Sequence, residues 1–207
     1  TIGSRNRFFD NSLQVNLELF FNEYKGHQEN ITAPDTDGIV GQTLINAGSA
    51  ESYGVSVDTV YRPTTNDQLR VAFEYNKAEY TSFIYNSYGP PPSTGCGVSA
   101  VGTGVWSVDC SGFQMARTPL WSGSVSYTHT IDLSNGGHIN VSPDVSFATS
   151  RWVHPSFVSN VRAEGYSLYN LNVQYNSPAN KYSVTAFVNN IGNEAVYNGG
   201  EQHPMVA

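Results

Sequence analysis

Charged side chains are scarce in this chain of 207 residues: Asp, Glu, Lys and Arg together make up 13%, about half the share usual in soluble domains. Long hydrophobic runs are missing too, and no stretch approaches the ~18 apolar residues that a membrane-crossing helix needs. A helical membrane protein is thereby excluded. Basic residues number 10 against 17 acidic ones, a net charge of −7, whereas nucleic-acid binding wants a basic face. Cysteines number only two, Cys96 and Cys110. They are too far apart for a CxxC zinc pair and have no histidine at ligand spacing. A disulfide closing a Gly/Ser-rich loop in an oxidising compartment is the expected state, with two free thiols as the alternative. The five histidines are scattered, so neither a metal site nor a cofactor is expected. Thr1–Asp10 carries two Arg but no apolar core, so no signal peptide opens the chain; either one was removed or this is an internal piece.

What the chain does have is 13 Tyr, 10 Phe and 19 Gly, with many Ser, Thr, Asn and Val. That composition is the opposite of a disordered one. Its dominant pattern is alternation of period two. Leu13, Val15, Leu17, Leu19 and Phe21 alternate with Gln14, Asn16, Glu18 and Phe20. The same rhythm runs through Val55–Tyr61, Leu69–Tyr75, Trp121–Ile131, Ile139–Phe147, Tyr169–Tyr175 and Tyr182–Val188. The apolar register of these segments holds no Asp, Glu, Lys or Arg. The other register is mostly Ser, Thr, Asn and Gln. A soluble sandwich also alternates, but its wet face normally carries many Lys and Glu. An apolar outside around a crowded polar lumen describes a membrane β-barrel.

Spacing between the segments supports this. Short links rich in Asn, Asp, Gly or Pro (Phe9–Asn11, Pro63–Asp67, Asp132–Gly137, Ser177–Lys181) alternate with long ones (Glu29–Gln42, Asn86–Met115, His154–Ala163). Tight periplasmic turns and long extracellular loops alternate in this way in outer-membrane barrels. The expected fold is therefore all-β: an antiparallel transmembrane β-barrel segment, with Thr1–Arg7 as the end of an eighth strand. A barrel cannot leave an edge in lipid, and Asn189–Ala207 does not read as a spanning strand. The chain is expected to be part of a larger barrel, beginning mid-strand and stopping one strand early.

Several stretches resemble, in order, the TonB-dependent outer-membrane receptors. Ser4–Asn16 is similar to that family's turn and rising strand, followed by Phe20-Phe21 and Tyr24-Lys25. Asn46-Ala47-Gly48 leading to Gly54-Val55 resembles its Asn-Ala-Gly strand, although Ser56 stands where Glu is common. Arg117-Thr118-Pro119-Leu120-Trp121 looks like the Pro-x-aromatic entry of a descending strand, and Asn189-Asn190-Ile191-Gly192-Asn193-Glu194 with Tyr197 like the signature before the final strand. The resemblance implies that residues 1–207 are a partial barrel domain, some seven or eight strands of a 22-stranded barrel, without the plug domain and the final strand. It implies a receptor for TonB-dependent active uptake of a scarce solute, most often a ferric siderophore. The implied partners are outer-membrane lipid, the rest of the same receptor, TonB acting through the missing N-terminal region, and the ligand. A passive porin or a small structural barrel is the alternative.

No motif marks ligand contacts. The candidates are Tyr85, Tyr88, Trp106 and Phe113 in or beside the longest loop, with Trp152 and Arg162 at the rim. The disulfide would hold Trp106 in place for stacking on an aromatic chelate; packing of loop against loop is the alternative. Trp152 reads as an anchor in the interfacial aromatic belt before it reads as a ligand contact. Arg162 and Arg117 would attract an anionic complex or simply sit in water. Catalysis is not expected. His129 falls on the lipid-facing register while Asp132 and Ser134 fall on a turn, so no triad assembles. Asp58, Arg70 and Glu74 are expected to form an ion-pair ladder on the lumen face.

Overall fold

The computed structural model describes residues 1–34, 37 and 39–200. Its thirteen strands are β1 (Ile2–Phe8), β2 (Leu13–Pro34), β3 (Val40–Tyr61), β4 (Asp67–Ser82), β5 (Ile84–Tyr88), β6 (Gly97–Gly102), β7 (Val105–Asp109), β8 (Trp121–Asp132), β9 (His138–Ala148), β10 (Arg151–Trp152), β11 (Arg162–Ala163), β12 (Tyr166–Asn176) and β13 (Ser183–Val188). Eight of them form one antiparallel sheet in the order β1-β2-β3-β4-β8-β9-β12-β13. The remainder build two small sheets at one end, β5-β7-β6 and the ribbon β10-β11. Among the described residues no helix is long and apolar enough to cross a membrane.

Register carries the alternation across the whole sheet. Leu17 faces Val57, Val57 faces Phe73, Phe73 faces Gly123, and Gly123 faces Phe147. One position along, Asn16, Asp58, Ala72, Ser124 and Ser146 make a row on the opposite face. A slip of one residue anywhere would mix the faces, so the two patterns together specify the pairing. The apolar face is not buried: Leu19 is 50% and Val184 62% exposed. It is also ordered along the strands. Tyr61, Tyr127, Tyr175 and Tyr182 stand toward one end, Tyr53, Tyr75, Trp121 and Tyr169 toward the other, with aliphatic side chains between. From Tyr53 to Tyr61 the strand runs about 27 Å at ~3.4 Å per residue. That is the scale of the ~25 Å apolar band, flanked by aromatic girdles, of a membrane barrel.

The short links are tight turns, as expected. Phe9, Asp10 and Asn11 all have positive φ (51°, 53° and 69°), and the Ser12 N–H closes that turn on the Phe9 carbonyl at 3.0 Å. At the β8–β9 turn, Gly136 donates to the Leu133 carbonyl at 3.0 Å.

Two expectations fail. Glu29–Gln42 is not a long loop: β2 and β3 stay paired out to Pro34 and Val40, making a long hairpin arm whose two strands have 22 residues each. The Asp58–Arg70–Glu74 ladder does not form either. Register sets Asp58 opposite Ala72, with Arg70 and Glu74 opposite Val60 and Ser56. The charges therefore stand on diagonals rather than opposite one another, no ion pair joins the three, and Asp58 instead accepts from the Asn16 amide at 3.3 Å.

Candidate functional site

The buried core lies at the long-loop end, above the sheet rather than within it. It consists of Ala47, Ala50, Tyr80, Phe83, Val108, Phe157 and the two cysteines. Two glycines explain how the β2–β3 arm contributes to it. At Gly26 and Gly48 the backbone takes φ of +67° and +75°, and the register shifts around Gly26 and His27. Such a bulge inserts an extra residue and turns the strand over. Below it the odd positions of β2 lie on the apolar face. Above it His27, Glu29 and Ile31 turn inward, and Ile31 is buried.

This inversion brings His27 and Glu29 to Tyr80 of β4. The Tyr80 hydroxyl donates to Glu29 Oε1, which also lies 3.0 Å from His27 Nε2. The rings of His27 and Tyr80 are 5.9 Å apart. Beside this network opens a cavity of about 630 Å³, lined among others by His27, Glu29, Ile31, Gln42, Arg117 and His154. The backbone of Arg117 is held at φ 65° by donation from its N–H to the Trp152 carbonyl at 2.6 Å. A cavity of this size with a few convergent polar groups fits a small molecule.

Cys96 and Cys110 are joined, and the disulfide packs into the core. Around it, Gly95 and Thr94 donate to the Ser156 carbonyl at 3.0 and 2.8 Å, tying the longest loop to the β10–β11 loop. Ser111 donates to Asp109 and holds that carboxyl below its usual range. Of the candidate contacts, Tyr85, Phe113 and Trp152 pack against this core. Phe113 and Trp152 lie 4.5 and 5.6 Å from the Phe157 ring. Burial pushes the Tyr85 hydroxyl up to about 12. The Arg162 guanidinium sits 5.5 Å over the Trp152 ring, with a bond to Ser150 at 3.3 Å. Trp106 and Tyr88 lie on the β5-β7-β6 sheet, and the Trp106 indole donates to the Gly89 carbonyl at 2.9 Å. None of these six lines the cavity.

His27, Glu29 and Tyr80 were not among the candidates. A signal for them exists in Gly26 and Gly48, because a glycine inside a strand pattern marks a bulge. His129 takes Asp67 as its partner, and Asp132 accepts from Asn66, so neither is arranged with Ser134 for catalysis. Among the described residues no group of three or more His, Cys, Asp or Glu is placed to hold a metal.

The model of the TonB dependent receptor-like β-barrel family matches residues 1–191. The chain belongs to this family. Its members are outer-membrane β-barrels that serve as transport receptors. No curated protein sequence matches the chain. Among solved structures, this receptor-family chain is similar to the ferric yersiniabactin uptake receptor FyuA of Yersinia pestis, with TM-score 0.70 and 15% identity over 97% of this chain and 25% of that one. The siderophore receptor PiuA of Acinetobacter baumannii gives TM-score 0.67 and 17% identity over 96% and 24%. BauA, the ferric preacinetobactin receptor of the same species, gives 0.59 and 13% over 90% and 24%. The chain thus spans about a quarter of the length of these receptors, and at such identities the likeness is one of fold.

Proposed function

We propose that this chain is part of an outer-membrane receptor for TonB-dependent uptake of a scarce solute, with a ferric siderophore as the substrate class. Residues 1–207 supply part of the barrel wall and the ligand-facing loops; the plug and the remaining strands come from elsewhere in the same receptor. The observation that carries the reading is the family match over residues 1–191, on a sheet whose apolar face is exposed and banded by aromatic rows. The substrate class is supported by three fold neighbours described as siderophore or ferric-siderophore receptors. In this reading the short turns face the periplasm and the core end faces outward. Ligand contacts come from the inward-facing cavity at Arg117, His154 and Gln42. Trp106, Tyr88 and Arg162 form the outer approach, and Tyr85, Phe113 and Trp152 hold it in shape.

The test is uptake of radio-iron siderophores by cells carrying or lacking the full-length gene, each with and without TonB. Accumulation that needs both supports the reading. Uptake independent of TonB, together with open conductance of the purified protein in planar bilayers, would replace it with a passive porin.

A further inference from the structure

At the short-turn end of the apolar face, side chains from two hairpins make a closed polar knot in a register otherwise apolar. Asp67 opens β4 and stands directly across from His129 of β8. Its Oδ1 accepts from the Tyr127 hydroxyl and lies 2.7 Å from His129 Nδ1, while Oδ2 accepts from Thr64 in the preceding turn. The rings of Tyr127 and His129 are nearly parallel, 16° apart in plane with centroids at 6.4 Å. Next to them the Asn66 amide donates to the Thr130 carbonyl at 2.8 Å and to the Asp132 carboxylate at 2.9 Å.

Every donor of the knot is spent inward, on Asp67, Asp132 or the backbone. With Nδ1–H given to the Asp67 carboxylate, Nε2 lies on the far side of the ring and carries a lone pair in the neutral tautomer. The His129 side chain is 45% exposed, against 18% for Asp67. Outward, then, the knot shows an acceptor nitrogen, two aromatic faces and a nearby carboxylate. Among the described residues no Lys or Arg pairs with Asp67 or His129. The complement of such a surface is a compact cation that carries N–H. Position narrows the choice, because the knot lies in the row of Tyr61, Tyr127 and Tyr175, where an aromatic girdle meets lipid headgroups.

We propose that His129, oriented by Asp67 and set beside Tyr127, seats the primary ammonium of an ethanolamine phospholipid in the leaflet at the short-turn end. The ammonium donates to Nε2 and rests against the Tyr127 ring. A choline headgroup carries the same charge but no N–H, so the seat tells the two apart by one hydrogen bond. This inference rests on the outer-membrane reading above.

The experiment uses the full-length receptor in detergent, incubated with equimolar ethanolamine and choline phospholipids of identical acyl chains, with retained lipid counted by native mass spectrometry. Wild type retains ethanolamine lipid in about five-fold preference, the ratio one hydrogen bond supports. His129→Phe keeps a ring in the row and brings the ratio to about one. Asp67→Asn, which no longer fixes the Nδ1–H tautomer, does the same by a different route. A wild-type ratio near one overturns the seat, as does a preference for added phosphatidylglycerol, which would make His129 a donor to phosphate. If the receptor fails to fractionate with the outer membrane, the membrane reading falls and the seat with it. If it fractionates there and the ratio is one, only the seat falls.

Discussion

The Tyr80 hydroxyl donates to the carboxylate of Glu29, joining the hairpin arm to the neighbouring strand across 51 positions of sequence. Tyr80 is fully buried while the Glu29 side chain keeps 20% exposure at the cavity wall, so the bond is shielded from water on the tyrosine side. Removing the hydroxyl in Tyr80→Phe takes a donor from Glu29 and costs about 1–3 kcal/mol of local stability. Tyr80→Ala also opens a cavity and costs about 3–5 kcal/mol. Hydrogen exchange of the β2 and β3 amides above Gly26 checks this: protection falls there and not in the lower strands. Uniform loss across the sheet would contradict a local lock.

The two bulge glycines differ in what surrounds them. At Gly48 an added Cβ meets the Ser82 carbonyl at 2.7 Å, whereas at Gly26 it meets only the Asn46 amide at 4.0 Å. Both backbones are left-handed, so each Gly→Ala pays a conformational cost of about 1–2 kcal/mol. Only Gly48→Ala adds a clash with backbone. Gly48→Ala is therefore the more damaging, by about 1 kcal/mol or more, measured as the drop in thermal midpoint of the folded barrel.

Cys96 and Cys110 close the loop that carries Trp106. Mass mapping of non-reduced protein finds them linked, and a non-reducing gel shifts on reduction. Replacing both with Ser loses about 3 kcal/mol of loop constraint in the chain-entropy model. Cleavage by protease within residues 86–115 then becomes faster while the sheet stays intact. Two freely alkylated thiols in exported protein would refute the bridge.

Tyr85 titrates late. Its hydroxyl is pushed up to about 12 by burial, from the ordinary phenol value of 10.0, so the folded state holds the proton longer than the unfolded one. The contribution to stability is full below pH 10.0 and is lost as pH rises through about 12. The difference in phenolate absorbance between wild type and Tyr85→Phe has its midpoint near the upper value. A midpoint at the ordinary value would place the ring in solvent.

Much of the sheet was legible before folding. Alternation with period two needs only that one face be apolar and the other polar, and Leu13–Phe21 or Trp121–Ile131 show it without help. The turns at Phe9–Asn11 and Asp132–Gly137 were legible for a similarly local reason, since Asn, Asp and Gly accept left-handed backbone. Asn189-Asn190 through Glu194 had a local cause as well: the Asn190 amide brackets that stretch, donating to the Glu194 carbonyl and accepting from its N–H, each at 2.8 Å.

What the tertiary structure alone decided is where the strands change face and which charges meet. Alternation stops being readable once a bulge inverts it, so the arm above Gly26 looked like a loop and His27, Glu29 and Tyr80 like unrelated residues. Asp58, Arg70 and Glu74 share a face, yet register keeps them on diagonals. His129 occupies an apolar position but finds Asp67 across the ladder, a partner 62 positions away. Sequence determines the face of each residue by counting along one strand. Contacts depend on the offset between strands, which the connecting turns and the pairing of both faces fix and which no single strand carries.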